Sequence, residues 1–149
     1  MIKAILKNEY FLLALRLLLG LTFLAASIDK IYDPSLFAKA ITNYKLISGS
    51  FVLVIATILP WIELLCAMSM IFGILVRGSS LVLFSLLGAF TIAVVTGLIR
   101  GLDIACGCFT LDPEVGKIGW QKVAENVGLI LTSVILFYSE AKKFTLRLS

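Results

Sequence analysis

Apolar residues run with few interruptions through four stretches of the chain, roughly 10–29, 51–75, 79–99 and 123–139, and most polar residues collect between them. A helix needs about 20 apolar residues to cross the hydrocarbon of a bilayer. The pattern therefore predicts an all-α membrane protein, an antiparallel four-transmembrane-helix bundle forming a single integral membrane domain over 1–149. Between the first two spans, Asp33 and Pro34 have the character of an N-cap followed by the first helical position. Phe37, Ala40, Ile41 and Tyr44 then recur at helical spacing with Lys39 and Lys45 on other faces, which predicts a short interfacial helix ended by Ser48, Gly49 and Ser50. A tight turn at Arg77 and Gly78 separates spans two and three, and a loop over 100–122 with Pro113 and several glycines precedes span four. Tyr10, Trp120 and Tyr138 suit interfacial anchors.

Composition agrees with the pattern. The 149 residues are 60% hydrophobic and 15% charged, with a mean hydropathy of +1.08, far from the roughly 25% charged residues of a soluble domain. The net charge of +4 reads as the basic flanking of membrane helices, and no nucleic-acid partner is expected. Small residues Ala25, Ala26 and Ser27 follow the first apolar run, as at a signal cleavage site, but the run is long and carries Arg16, so a retained span is the expectation.

Charge counting leaves the orientation balanced. Lys3, Lys7, Arg77, Lys142, Lys143 and Arg147 fall on one side, and Lys30, Lys39, Lys45, Arg100, Lys117 and Lys122 on the other. Arg16 lies toward the N-terminal end of its span and can snorkel that way, and paired cysteines suit an oxidising face. The expected arrangement is N-in and C-in, multi-pass in a bacterial inner membrane, with the cysteine loop outside.

Histidine is absent, which removes the commonest general base and metal ligand. Cys106 and Cys108 flank Gly107 and are the candidate redox pair, since glycine permits the bend that a disulfide across so short a spacing needs. A strained small ring would exchange more readily than a structural staple. Two buried thiols or a structural clamp are the alternative readings. A zinc site is not expected, because there are three cysteines and no histidine to supply four ligands. Glu63 lies near the middle of span two, where a charge needs a partner, and Arg16 is the expected one. Pro60 can kink the helix, Trp61 can mark a ligand cleft, and Cys66 lies three residues from Glu63 on a neighbouring part of the same face.

The stretches GLTFLAASIDKIYDPSLFAKAITNYKLI, LPWIELLCAM and RGLDIACGCF, in this order, resemble the DoxX-like four-helix membrane proteins, most closely the MauE branch named for methylamine utilisation. The resemblance covers most of the chain and implies a four-helix bundle in the bacterial inner membrane, associated with maturation of disulfide-rich periplasmic enzymes. It implies Cys106 and Cys108 as the redox pair and Glu63 as the buried acid. Thr110 stands where relatives commonly have glycine, and Glu125 precedes Asn126 where a basic residue is common.

The leading expectation is a thiol-disulfide redox protein, or an accessory to one, exchanging electrons between a periplasmic thiol protein and a membrane quinone, with no covalently bound cofactor. A non-enzymatic docking subunit or chaperone is the second reading, and a small-molecule transporter the third. The expected partners are the lipid bilayer, a periplasmic thiol or disulfide-containing protein, and other copies or subunits in an oligomer.

Overall fold

A computed structural model describes residues 1, 4, 7–109, 111, 112, 114 and 117–139. Lys3, Thr110, Pro113 and the basic tail with Lys142, Lys143 and Arg147 lie outside them. Five helices form among the described residues: α1 (Glu9–Tyr32), α2 (Pro34–Asn43), α3 (Ser50–Phe72), α4 (Val76–Ile99) and α5 (Trp120–Tyr138). Three of them, α1, α3 and α4, are long and apolar enough to cross a membrane, and the chain is a multi-pass membrane protein. The fourth predicted span becomes α5, whose first two turns carry Gln121, Lys122, Glu125 and Asn126; those residues dilute its apolar character below that of the other three.

Local chemistry explains the boundaries. Asn8 caps α1 by accepting from the Phe11 N–H, and Asp33 does the same for α2, accepting from the Leu36 N–H at 2.9 Å and the Ser35 hydroxyl at 2.6 Å. These bonds to the carboxylate, the Ser35 one foremost, hold Asp33 below its ordinary pKa. Helix α3 stops at Gly73, which takes a left-handed φ of 72° that favours glycine. The turn expected at Arg77 and Gly78 therefore sits earlier, at 73–75, and α4 is already helical through both residues.

Helix α1 packs chiefly on α3, and α4 on α5. Gly20 makes the first contact possible: a Cβ there would lie 2.9 Å from Ile71 Cγ1 and 3.3 Å from the Ala67 carbonyl oxygen. Small residues let membrane helices approach closely, where packing replaces the hydrophobic effect as the driving force. Leu12, Leu19, Phe23, Cys66, Ala67, Met70, Leu83, Leu87 and Leu136 form the apolar cluster around this seam. Smaller clusters gather Phe37, Val52 and Ala56 under α2, and Tyr44 and Val94 against the cysteine loop.

Candidate functional site

Four features converge where α2 and the 100–119 loop meet the helices. The first is a disulfide between Cys106 and Cys108, with Cα atoms 5.2 Å apart and both residues only 3% exposed. Gly107 between them has φ 66°, and a Cβ there would meet Ala40 Cβ at 3.0 Å, so both backbone and space call for glycine. The loop is fixed by an antiparallel bridge of Ala105 with Lys117 and by the Ile118 N–H donating to the Ile104 carbonyl at 3.0 Å. Phe109 meets Phe23 of α1 edge-to-face, with centroids 6.0 Å apart.

Tyr44, just past the end of α2, ties the loop down. Its hydroxyl donates to the Cys106 carbonyl at 2.8 Å, while its own carbonyl accepts from Arg100 Nη1 at 2.9 Å. Gly97 leaves room for Ile118 of the loop, whose Cδ1 a Cβ there would meet at 3.1 Å, while the Tyr44 ring would lie at ordinary contact distance, 3.6 Å. Burial holds the Tyr44 phenol well above its ordinary pKa.

The third feature is an ion pair. Lys30 Nζ donates to both Glu63 oxygens at 2.8 Å, with the two residues 1% and 0% exposed. The ammonium also stands over the Phe37 ring at 5.1 Å and the Phe90 ring at 5.0 Å, within the range of a cation–π contact. The expected pairing of Glu63 with Arg16 is thus replaced. Arg16 instead donates through Nε and Nη2 to the Met70 carbonyl at 3.2 Å each, which also accepts from the Gly73 N–H at 3.3 Å, in the last turn of α3, where the dipole favours a cation. Met70 lies about 10 Å beyond Glu63 along the helix at about 1.5 Å per residue, which separates the two charges.

The fourth feature is a cavity of about 300 Å³ walled by Phe37, Ile41, Tyr44, Leu59, Phe90 and Cys106, with the exposed Leu46 and Ile47 at its edge. It is almost wholly apolar, and its size is at the lower end of small-molecule pockets, about 300–1,000 Å³. Pro60, Trp61 and Cys66, the residues expected to mark a cleft, are not among those lining it. Pro60 is buried, Trp61 is 54% exposed, and Cys66 belongs to the apolar cluster on the α1–α3 seam.

The sequence model for methylamine utilisation protein MauE matches residues 8–139. The chain belongs to the MauE family. Among curated members, it is 32% identical to the methylamine utilization protein MauE of Methylophilus methylotrophus, over 76% of this chain and 60% of that protein. It is 29% identical to that of Paracoccus denitrificans, over 83% and 65%, and 28% identical to that of Methylorubrum extorquens, over 89% and 72%. The chain thus spans less than two thirds of the first two MauE proteins. No solved structure matches it significantly.

Lys30, Phe37, Phe90, Tyr44 and Asn126 sit in no motif that marks them as site residues in the sequence. Lys30 had a usable signal. Leu12, Arg16, Leu19, Phe23, Ala26 and Lys30 are all buried on α1 and repeat at alternating steps of four and three, so the lysine continues the inward stripe. Asn126 is fully buried in α5, and both its amide atoms lack a hydrogen-bond partner among the described residues.

Proposed function

We propose that this MauE-family chain is a membrane thiol-disulfide exchange protein, or the accessory of one, serving the maturation of a periplasmic enzyme in methylamine utilisation. The observation that carries the reading is that Cys106 forms part of the wall of an apolar cavity. In the exchange, two thiols of a periplasmic protein are oxidised to a disulfide while Cys106–Cys108 is reduced to a dithiol. The dithiol is reoxidised by a membrane quinone, which takes two electrons and two protons and leaves as the quinol. The residues fit such a substrate: the walls are aromatic and aliphatic, and the sulfur-bearing residue adjoins the space that a lipid-borne ring would enter.

The reading carries an orientation and a fourth span. At 19 residues, α5 is about 28 Å long at about 1.5 Å per residue, close to the roughly 30 Å hydrocarbon thickness. With four spans both termini face the cytoplasm, and the cysteine loop faces the periplasm of a bacterial inner membrane.

One observation favours a second reading. Both cysteines are 3% exposed, and Tyr44 and Ala40 close over the loop, so a soluble thiol reaches the disulfide only if the loop opens. A disulfide that never opens would be a clamp on a docking surface. Alkylation of free thiols in isolated membranes separates the two. For exchange, Cys106 and Cys108 become alkylatable when quinone is depleted and are protected when it is restored. A pair that stays oxidised throughout, or full activity of the Cys106→Ser/Cys108→Ser variant, would leave the clamp.

A further inference from the structure

Lys30 has three N–H donors. Two face the Glu63 oxygens, and the ammonium also stands over the rings of Phe37 and Phe90. Both rings are also walls of the cavity, which Lys30 itself does not line, so the same two side chains border the ammonium and that space. Elsewhere the wall is nearly all hydrocarbon. The Tyr44 hydroxyl is already committed to the Cys106 carbonyl.

We infer that Lys30 binds a carbonyl oxygen of a flat ring seated in this cavity, so that the Lys30–Glu63 pair is the polar anchor of a quinone head group. This deepens the proposed function and rests on its assignment of the cavity to a quinone. A carbonyl oxygen entering between Phe37 and Phe90 exchanges a weaker cation–π contact for a charge-assisted hydrogen bond. The ring itself lies against the same two aromatic side chains, and its other edge is directed toward the Cys106 wall. Glu63 keeps the lysine charged and aimed, since a buried ammonium with no counter-charge is too costly to hold. An acyl chain filling the same space would have no use for the ion pair. That difference makes the site testable.

Binding is measured on the full-length Cys106→Ser/Cys108→Ser protein in detergent micelles, where no electron transfer can occur, with decylubiquinone and, separately, decylbenzene. Adding Lys30→Met together with Glu63→Leu removes the donor without leaving an unpaired charge. Decylubiquinone is expected to bind about tenfold more weakly to that variant, the loss of one charge-assisted hydrogen bond, with decylbenzene affinity unchanged. Equal decylubiquinone affinity in the two proteins, absence of decylubiquinone binding, or an equal loss for decylbenzene overturns the proposal. Infrared spectra of bound, isotope-labelled decylubiquinone supply a readout that leaves the ion pair intact. One carbonyl band shifted to lower frequency supports the inference, and two bands at their free positions refute it. Failure of the exchange reading looks different: the wild-type dithiol would not be reoxidised by decylubiquinone, although the quinone still bound at Lys30. Reoxidation with an unchanged KM in Lys30→Met/Glu63→Leu would instead refute the site and leave the exchange standing.

Discussion

The face that α1 turns inward is finished in two different ways along its length. Around Gly20 it meets α3 on small and apolar side chains, Ala67, Met70 and Leu19 among them, so close that an added methyl group would need Ile71, 2.9 Å away, to shift. Near its C-terminal end the same face carries Lys30 into a carboxylate and two aromatic rings, beside a cavity and a disulfide. Even the two buried cations differ. Arg16 completes a helix end by bonding a backbone carbonyl, whereas Lys30 is bound to a titratable side chain and lies behind a cavity wall. The first region is stabilised by close contact that admits nothing further. The second is stabilised only as a set, and it keeps room for something else.

The largest break in that comparison comes from dividing the set. Lys30→Met leaves Glu63 buried without its cation and is expected to cost about 3–5 kcal/mol, whereas Lys30→Met with Glu63→Leu should recover most of the loss. Thermal unfolding in detergent measures both. Equal destabilisation by the single and double variants would mean that the pair is not the unit.

The close-packed region breaks differently, through volume. Gly20→Ala forces the Ile71 side chain to shift and tightens the approach to the Ala67 carbonyl, and is expected to cost about 1–3 kcal/mol. Gly88→Ala in α4 is the control: nothing lies within 4 Å of its would-be Cβ, so it should stabilise by about 0.5–1 kcal/mol through helix propensity alone. The same unfolding measurement reads both, and two changes of the same sign would refute the close contact at Gly20.

These contrasts also mark how far the sequence could be read. The long apolar runs specify their helices because a bilayer leaves the backbone no other way to satisfy itself, and Asp33-Pro34 carries its own start signal for α2. The turn after α3 is ambiguous in sequence because Gly73 and Gly78 compete, and the apolar Ile74 and Leu75 beside Gly73, where the chain turns, do not announce it. That Glu63 needed a partner followed from its depth. Its identity did not, because Lys30 follows Asp29 at the end of an apolar run and looks like a loop charge until its register is counted. Arg16 found a carbonyl, and a backbone acceptor leaves no mark in sequence. The cavity arises from α2 folding back over α3 and α4, so no single stretch encodes it.

The link from α2 to the disulfide can be weakened while the Lys30–Glu63 pair and the α1–α3 seam are left in place. Tyr44→Phe removes the donor to the Cys106 carbonyl and is expected to cost about 1–2 kcal/mol, as for a buried acceptor left unsatisfied. It should also speed alkylation of the reduced cysteines if this bond limits loop opening. The sign of the pH effect follows from the raised pKa. The neutral phenol is favoured in the fold, so its contribution is fully present below the unfolded value of about 10 and is lost as pH rises beyond it. Wild type should lose stability in that alkaline window by an amount that Tyr44→Phe does not share; identical pH profiles for the two proteins would contradict the buried-phenol geometry.

The smallest expected effect tests whether the polar interior extends into α5. Asn126 is fully buried, and neither its amide oxygen nor its nitrogen has a partner among the described residues, in contrast to Lys30, whose ammonium donates to both Glu63 oxygens. An unsatisfied buried polar group costs about 1–3 kcal/mol, whereas an apolar replacement of similar shape can be neutral or better. Asn126→Leu is therefore expected to change stability by between zero and about 1 kcal/mol in the favourable direction, read by thermal unfolding in micelles. Reoxidation of the Cys106–Cys108 dithiol by decylubiquinone should be unaltered. A clear loss of stability, or slower reoxidation, would give the amide a polar partner in the working protein and carry the polar half of the comparison across from α1 and α3 to α5.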